Sequence, residues 1–195
     1  MPSLLVRSAL RFAARCHARQ RRESDGAPFI AHPIEVAQLL RDAGCSDVVI
    51  AAGLLHDVVE NTYTSPAELT ARFGPDVANL VQAVSHDGSV QNYRRRKQLL
   101  REQVRNADAD AALVFAADKI SQVRELPDPV RRDRASCAAT APKTTQHDHE
   151  MRLEHYHESL RMLQDIAAGH PLVKRLANEL HGHPMPGPDA AQPNP

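Results

Sequence analysis

His56 and Asp57 stand side by side inside "GLLHDVVENT", residues 53–62, directly after the apolar run "VVIAA". Glu60 follows one helical turn on, Asp118 interrupts the apolar "ALVFAADKI", and His32 sits between "FIA" and Pro33. Ionisable groups in such oily surroundings need an explanation, because an isolated buried carboxylate costs several kcal/mol unless something pairs with it. Each group alone has an ordinary reading as a satisfied core polar residue. Together, two imidazoles and two carboxylates form a donor set suited to a divalent cation such as Mn²⁺, Fe²⁺ or Zn²⁺. No cysteine lies near any of them, which speaks against a structural zinc site. Glu60 is i+4 from His56 and i+3 from Asp57, so it rises from the same face. It is placed to touch a water on the cation rather than the cation itself. Such a water has its pKa drawn toward neutrality, and a neighbouring carboxylate can orient it or take its proton. The chemistry implied is hydrolysis.

Helices must position these groups. Residues 3–19 read as an amphipathic helix with Leu5, Ala9, Phe12, Ala13 and Cys16 inward and Arg7, Arg11, Arg15 and Arg19 on a solvated face. Gly26, Pro28 and Pro33 break helical order, and a second helix starts near Pro33 and ends at Gly44. Residues 46–60 read as one helix that is apolar all round, hence central. "SPAE" at 65–68 is a capping box in which Ser65 caps and Glu68 reaches back. Further helices are expected over about 75–85, from Tyr93, over about 110–126 with Asp108 or Asp110 as cap, over about 148–168, and from Pro171 to about Leu180. The stretch 127–147 is mixed and partly mobile by composition, and the tail 181–195, "HGHPMPGPDAAQPNP", buries nothing. The expectation is an all-α fold of about eight to ten helices, one domain over residues 1–180 with a disordered tail over 181–195.

A chain of 195 residues is long enough for one domain with a real core. Lys plus Arg equal Asp plus Glu at 24 each, so no overall charge points to a nucleic-acid or membrane partner. Cys16, Cys45 and Cys137 are odd in number and widely spaced, which suggests no disulfide framework. No apolar run approaches the ~18 residues of a membrane span, and a soluble cytoplasmic protein is expected. "YRRRKQ", residues 93–98, could neutralise an anionic substrate or form a solvated basic face. Lys119 and Arg124 read as phosphate contacts or surface ion pairs. His147, His149, His155, His157, His181 and His183 read as surface residues.

The order His…His-Asp…Asp resembles that of the HD phosphohydrolases. More closely, "GAPFIAHPIEVAQLL", "AAGLLHDVVENT", "FGPDVANLVQAVS" and "AADKISQVREL" resemble the (p)ppGpp hydrolase domain of RelA/SpoT proteins, over about residues 4–126. The compact length is similar to that of the small alarmone hydrolases typified by the metazoan SpoT homologue. The resemblance implies an all-helical HD fold, a Mn²⁺ ion, and removal of the 3′-pyrophosphate from ppGpp or pppGpp to give GDP or GTP plus pyrophosphate. By matching positions it implies His32, His56, Asp57 and Asp118 as metal ligands and Glu60 as the first acid of a pair acting on the nucleophilic water. It implies Arg22 against the guanine base, and Arg152 with Tyr156 holding the nucleotide. Three positions depart from the family. The second acid of the pair is Asn61, which can hydrogen-bond a water but cannot accept a proton as a carboxylate does. The Asn four residues after the last ligand is Gln122, and the Lys after Arg22 is Glu23. These departures keep two other readings open: an HD phosphohydrolase acting on another phosphorylated nucleotide such as NADPH, and a weakly active nucleotide-binding module.

Overall fold

The structure, a computed structural model, describes residues 2–22, 24–126 and 146–185. The readings made of Glu23, of Cys137, of the stretch 127–145 and of the tail beyond residue 185 lie outside the described residues. Among those residues the secondary structure is helical, and extended pairing is limited to one antiparallel bridge between Arg21 and Pro28.

Helix α1, Leu4–Cys16, starts where the Ser3 hydroxyl accepts from the Val6 amide, and it buries Val6, Ala9, Phe12 and Ala13. Arg7, Arg11 and Arg15 on its other face are exposed, as is Arg19 beyond its end. A hairpin-like loop follows, closed by Phe29 N to Gln20 O at 3.0 Å and Arg22 N to Ala27 O at 2.9 Å. Gly26 takes φ +71° at its tip, which a side chain with a Cβ rarely adopts. Helix α2, Ala31–Asp42, then begins two residues before Pro33, whose ring still lies in the first turn, where its missing N–H costs nothing.

The expected helix over 46–60 is split. Helix α3, Asp47–Leu55, capped by Ser46, is buried from Val49 through Leu55. The regular ladder lapses at His56 and Asp57, and a single turn, α4, Val58–Asn61, resumes it. Asp57 has φ −92° and ψ −7°, a flattened geometry between helical turns. The break has a chemical consequence. Neighbours on a regular helix diverge by about 100°, whereas here His56 Nε2 and Asp57 Oδ2 approach to 3.3 Å.

Helix α5, Pro66–Phe73, is capped by Ser65, but the Glu68 side chain binds Arg72 at 2.8 Å instead of reaching back as the capping box predicts. The i, i+4 partner offers it a cation, which the cap amide cannot. Helices α6, Pro75–Val84, and α7, Tyr93–Asn106, are joined by a loop. Asn92 caps α7, and Asp108 caps α8, Ala109–Arg124. Helices α9, Gln146–Ala167, and α10, Pro171–His181, complete the described set.

Two helices form the centre. Helix α3 packs against α1, α2, α6 and α8, and α8 packs against α2, α6, α7, α9 and α10 as well. Eleven residues of α8 are buried, from Ala111 to Val123. Each fully buried Val, Leu, Ile or Phe on these helices stabilises the fold by about 1.5–3 kcal/mol. Gly53 lets α3 lie against α2, since a Cβ there would overlap Leu40 Cδ1 and come 3.3 Å from Val36 Cγ1. The start of α2, the end of α3 and the second half of α8 are thereby fixed to one another.

Candidate metal centre

The structure brings His32, His56, Asp57 and Asp118 into one cluster. Donor atoms of His32, His56 and Asp118 all lie within 4.8 Å of one another, and all three residues are buried. Asp57 adds Oδ2 at 3.6 Å from His32 Nε2 and 3.3 Å from His56 Nε2. Asp118 Oδ1 stands 3.2 Å from His32 Nε2 and 3.5 Å from His56 Nε2, and it makes no hydrogen bond of its own.

The partners of the two imidazoles fix their tautomers. His56 Nδ1 lies 2.8 Å from the Gly53 carbonyl, which only accepts, so Nδ1 carries a proton. His32 Nδ1 lies 2.9 Å from Ser121 Oγ, whose own hydrogen is donated to Glu35 Oε2 at 2.8 Å. Ser121 must therefore accept, and His32 too is protonated at Nδ1. In their neutral forms both rings present bare Nε2 lone pairs, and those two atoms are only 3.2 Å apart. Two facing lone pairs beside two carboxylates require a positive charge between them. Backbone or hydroxyl partners behind each ring are how metal-ligating histidines are held.

The electrostatics agree. Burial alone would lower the pKa of His56, but Asp57, Asp118 and the Gly53 carbonyl outweigh it and push the imidazole up to about 9. Burial alone would raise Asp118, yet Lys119 and the two histidines hold it well below the usual carboxylate range. Left to itself the cluster captures a proton; a metal ion competes for the same lone pairs. The residues present fit a divalent cation.

Glu60 is held by a residue that the sequence did not single out. The His86 amide donates to Glu60 Oε1 at 2.6 Å, and His86 Nδ1 lies 2.7 Å from Oε2. Burial would raise the Glu60 carboxyl, but His86, with Lys97 further off, keeps it below its ordinary value. Asn61 is exposed, and its backbone carbonyl accepts from Gln20 Nε2 at 2.7 Å, which ties α4 to the loop after α1.

The other candidates are spread around this centre. Arg22 grips Asp25 through two nitrogens and reaches Glu125 at 3.3 Å, and Glu125 lies 3.8 Å from His32 Nδ1. Gln122 accepts from Lys119 Nζ at 3.1 Å. Lys119 is no surface ion pair: it is 2% exposed, bonds Asp118 Oδ2 at 2.6 Å and lies over the Phe115 ring. Arg124 bonds Glu35 and Glu179. Arg152 and Tyr156 meet at 3.4 Å, with Tyr156 2% exposed. His155 is also buried, contrary to its surface reading, because it packs inward from α9 against Phe115 and accepts from Arg101. Burial and the nearby Lys119, Lys97 and Arg101 hold its pKa well below the histidine norm. A groove of about 450 Å³ opens between α7 and α9, lined among others by Tyr93, Lys97, Arg101 and His155. "YRRRKQ" therefore contributes Tyr93, Arg94, Lys97 and Gln98 to the groove wall, with Lys97 half-buried and Arg94 exposed.

Ser121 and Glu35 each lie three residues after a ligand candidate, a spacing that shares a helix face and could have marked them. His86 lies in a loop remote in sequence from Glu60 and carried no such signal.

Set beside known proteins, the chain is 43% identical over 118 residues to the human guanosine-3′,5′-bis(diphosphate) 3′-pyrophosphohydrolase MESH1, a match covering 59% of this chain and 65% of the human protein. It is 38% identical over 135 residues to a probable guanosine-3′,5′-bis(diphosphate) 3′-pyrophosphohydrolase of Synechocystis, covering 64% of this chain and 17% of that protein. The match to Drosophila melanogaster MESH1 is 37% identical over 128 residues and covers 71% of it. The chain thus spans less than two thirds of the human and Synechocystis relatives. A solved structure described as a metazoan ortholog of SpoT that hydrolyzes ppGpp superposes with a TM-score of 0.79 at 27% identity, over 95% of this chain and 99% of that one. The HD domain family model matches residues 9–166, a span that holds every residue of the His-Asp cluster, and the chain belongs to the HD domain family.

Proposed function

We propose that the protein removes the 3′-pyrophosphate of ppGpp or pppGpp, releasing GDP or GTP and pyrophosphate, with Mn²⁺ held by His32, His56, Asp57 and Asp118. The observation that carries this reading is the pair of Nε2 atoms 3.2 Å apart between two carboxylates. The relatives named for this activity, and the SpoT ortholog with its superposable fold, support the choice of substrate. No described helix is long and apolar enough to cross a membrane, and we place the activity in the cytoplasm.

When bound, the ion would polarise a phosphoryl oxygen and make a water more acidic. The chain's own groups do the rest. Glu60, kept ionised beside His86, accepts a hydrogen bond from the attacking water and takes its proton. Asn61 fixes that water through its amide. Lys97 and Lys119 bring positive charge near Asp118, where an anionic substrate needs it. Arg22 lies against the base, and Gln122, Arg152 and Tyr156 hold the nucleotide.

Purified protein with Mn²⁺ is expected to convert ppGpp to GDP and pyrophosphate, and His56→Ala to abolish that conversion. No product at high enzyme concentration would refute the reading. A second reading, another phosphorylated nucleotide such as NADPH, is favoured by the engagement of Arg22 with two carboxylates and of Gln122 with Lys119. A nucleotide panel with the same ion decides between the two.

A further inference from the structure

Glu60 is the carboxylate on which the proposed hydrolysis depends, and its surroundings are unusual in one respect. Both of its oxygens are engaged by a single residue, the Oε1 atom by the His86 amide at 2.6 Å and the Oε2 atom by His86 Nδ1 at 2.7 Å. Two short contacts from one residue fix the position of the carboxylate and its rotation about the terminal bond. The loop that carries His86 is itself anchored: Ser85 Oγ donates to the Val81 carbonyl at 2.8 Å, and the carbonyls of Gln82, Ala83 and Ser85 all accept from Gln103 Nε2 at 2.9–3.0 Å. Helices α6 and α7 thus hold the loop, and the loop holds Glu60. The position after Glu60 is Asn61, whose amide cannot take a proton. With one base and no second acid, the aim and ionisation of Glu60 rest on what binds it.

We propose that His86 is the positioning residue of Glu60, touching both of its oxygens and aiming the carboxylate at the nucleophilic water. The inference rests on the hydrolytic reading above. Burial alone would raise the Glu60 carboxyl, but the contacts from His86 in the α6–α7 loop, with Lys97 of α7 further off, hold it below its usual range. The backbone amide supplies the aligned hydrogen bond, and His86 Nδ1 closes on the second oxygen at 2.7 Å without the alignment of a hydrogen bond. An Asn at 86 places a polar amide group near the same point, so it keeps a side-chain contact to Oε2, whereas an Ala leaves only the backbone hydrogen bond.

The test compares His86→Ala and His86→Asn with the wild type. With Mn²⁺ and ppGpp, His86→Ala is expected to lose kcat on the order of 10²-fold with little change in KM, as a misaimed group does. His86→Asn is expected to recover most of the loss. In His86→Ala the acid limb of the kcat profile moves to higher pH. Mn²⁺ affinity stays within about twofold in both variants, since His86 belongs to neither the donor cluster nor its backing. A readout free of substrate uses the diamagnetic Zn²⁺-loaded protein, in which the Glu60 side-chain carbon, followed by NMR, titrates at higher pH in His86→Ala than in wild type. An unshifted Glu60 titration, wild-type kcat in His86→Ala, an effect on KM alone, or a loss of metal affinity would each overturn the assignment. Wild-type protein inert toward ppGpp would count against the substrate reading, and the Glu60 titration would then decide the role of His86 by itself.

Discussion

Ser121 illustrates how one hydroxyl can set the chemistry of a buried ring. It donates to Glu35 and so must accept from His32, which leaves the His32 Nε2 lone pair facing His56. Ser121→Ala removes that constraint without adding bulk. It is expected to lower divalent-metal affinity about 10–100-fold, the usual cost of losing such a partner, with the unfolding midpoint little changed; isothermal titration with Mn²⁺ reads the first and urea denaturation the second. Asp118 carries two duties at once. Oδ1 faces the histidines and Oδ2 pairs with the buried Lys119 ammonium at 2.6 Å. Asp118→Asn is therefore expected to weaken metal binding and also to destabilise the fold by about 3–5 kcal/mol, because it strands a buried charge. Adding Lys119→Met to that variant restores the unfolding midpoint and leaves the metal affinity low. A double mutant that stayed as unstable as Asp118→Asn would show that the ion pair is not the cause.

The element that most shapes the site is the broken α3–α4 segment. Its apolar periodicity places it at the core of the molecule, and there it lies. The lapse at His56 and Asp57 was invisible, because both residues tolerate helical geometry and no Gly or Pro marks the spot. Periodicity reports which face is buried; it does not report where a ladder of hydrogen bonds is given up to turn two adjacent side chains toward one point. The four clustered residues were legible because ionisable types interrupt apolar runs. His86 was not, because a loop histidine gains its meaning only from the tertiary contact with Glu60. Gly53 connects helix packing to chemistry: its missing Cβ admits α2, and its carbonyl orients His56. Gly53→Ala gains about 1 kcal/mol of helix propensity, but the overlap with Leu40 in a packed core costs about 1–3 kcal/mol. The overlap is expected to win, with a lower denaturation midpoint and a parallel loss of Mn²⁺ affinity as α3 is pushed from α2.

Across the whole molecule, positive charge is gathered on the side of the bundle where α7, α8 and α9 meet. Lys97, Lys119 and Arg101 all act on the buried His155, and Lys97 acts on Glu60 and Asp118 in turn. A fold that confines several cations to one half-buried region is less stable for it until an anion arrives. Lys97 records that strain. Burial, then the charge of Lys119, lowers its pKa to about 8 from the model-compound value of 10.5, with Glu60 and Asp118 offsetting only part. The sign follows from proton counting. Below about pH 8 the folded and unfolded chains both carry the Lys97 proton, and the full penalty of a buried cation is present. Between about 8 and 10.5 the unfolded chain binds a proton that the folded chain has shed, so the stability of the metal-free protein rises with pH. Tyr93, pushed by burial up to about 12 from 10.0, works in the opposite sense once the unfolded phenol ionises, which confines the gain to the range below about pH 10. Lys97→Met is expected to raise stability at neutral pH by about 1–3 kcal/mol and to flatten the rise seen above pH 8 in urea denaturation of wild type. The same substitution removes a charge that a polyphosphate would meet. Pyrophosphate binding to the wild type a little above pH 8 should take up a proton, measured by calorimetry in two buffers of different ionisation enthalpy, and binding to Lys97→Met should be weaker and take up none. Equal proton uptake in both proteins would assign the titration, and the anion contact with it, to another group.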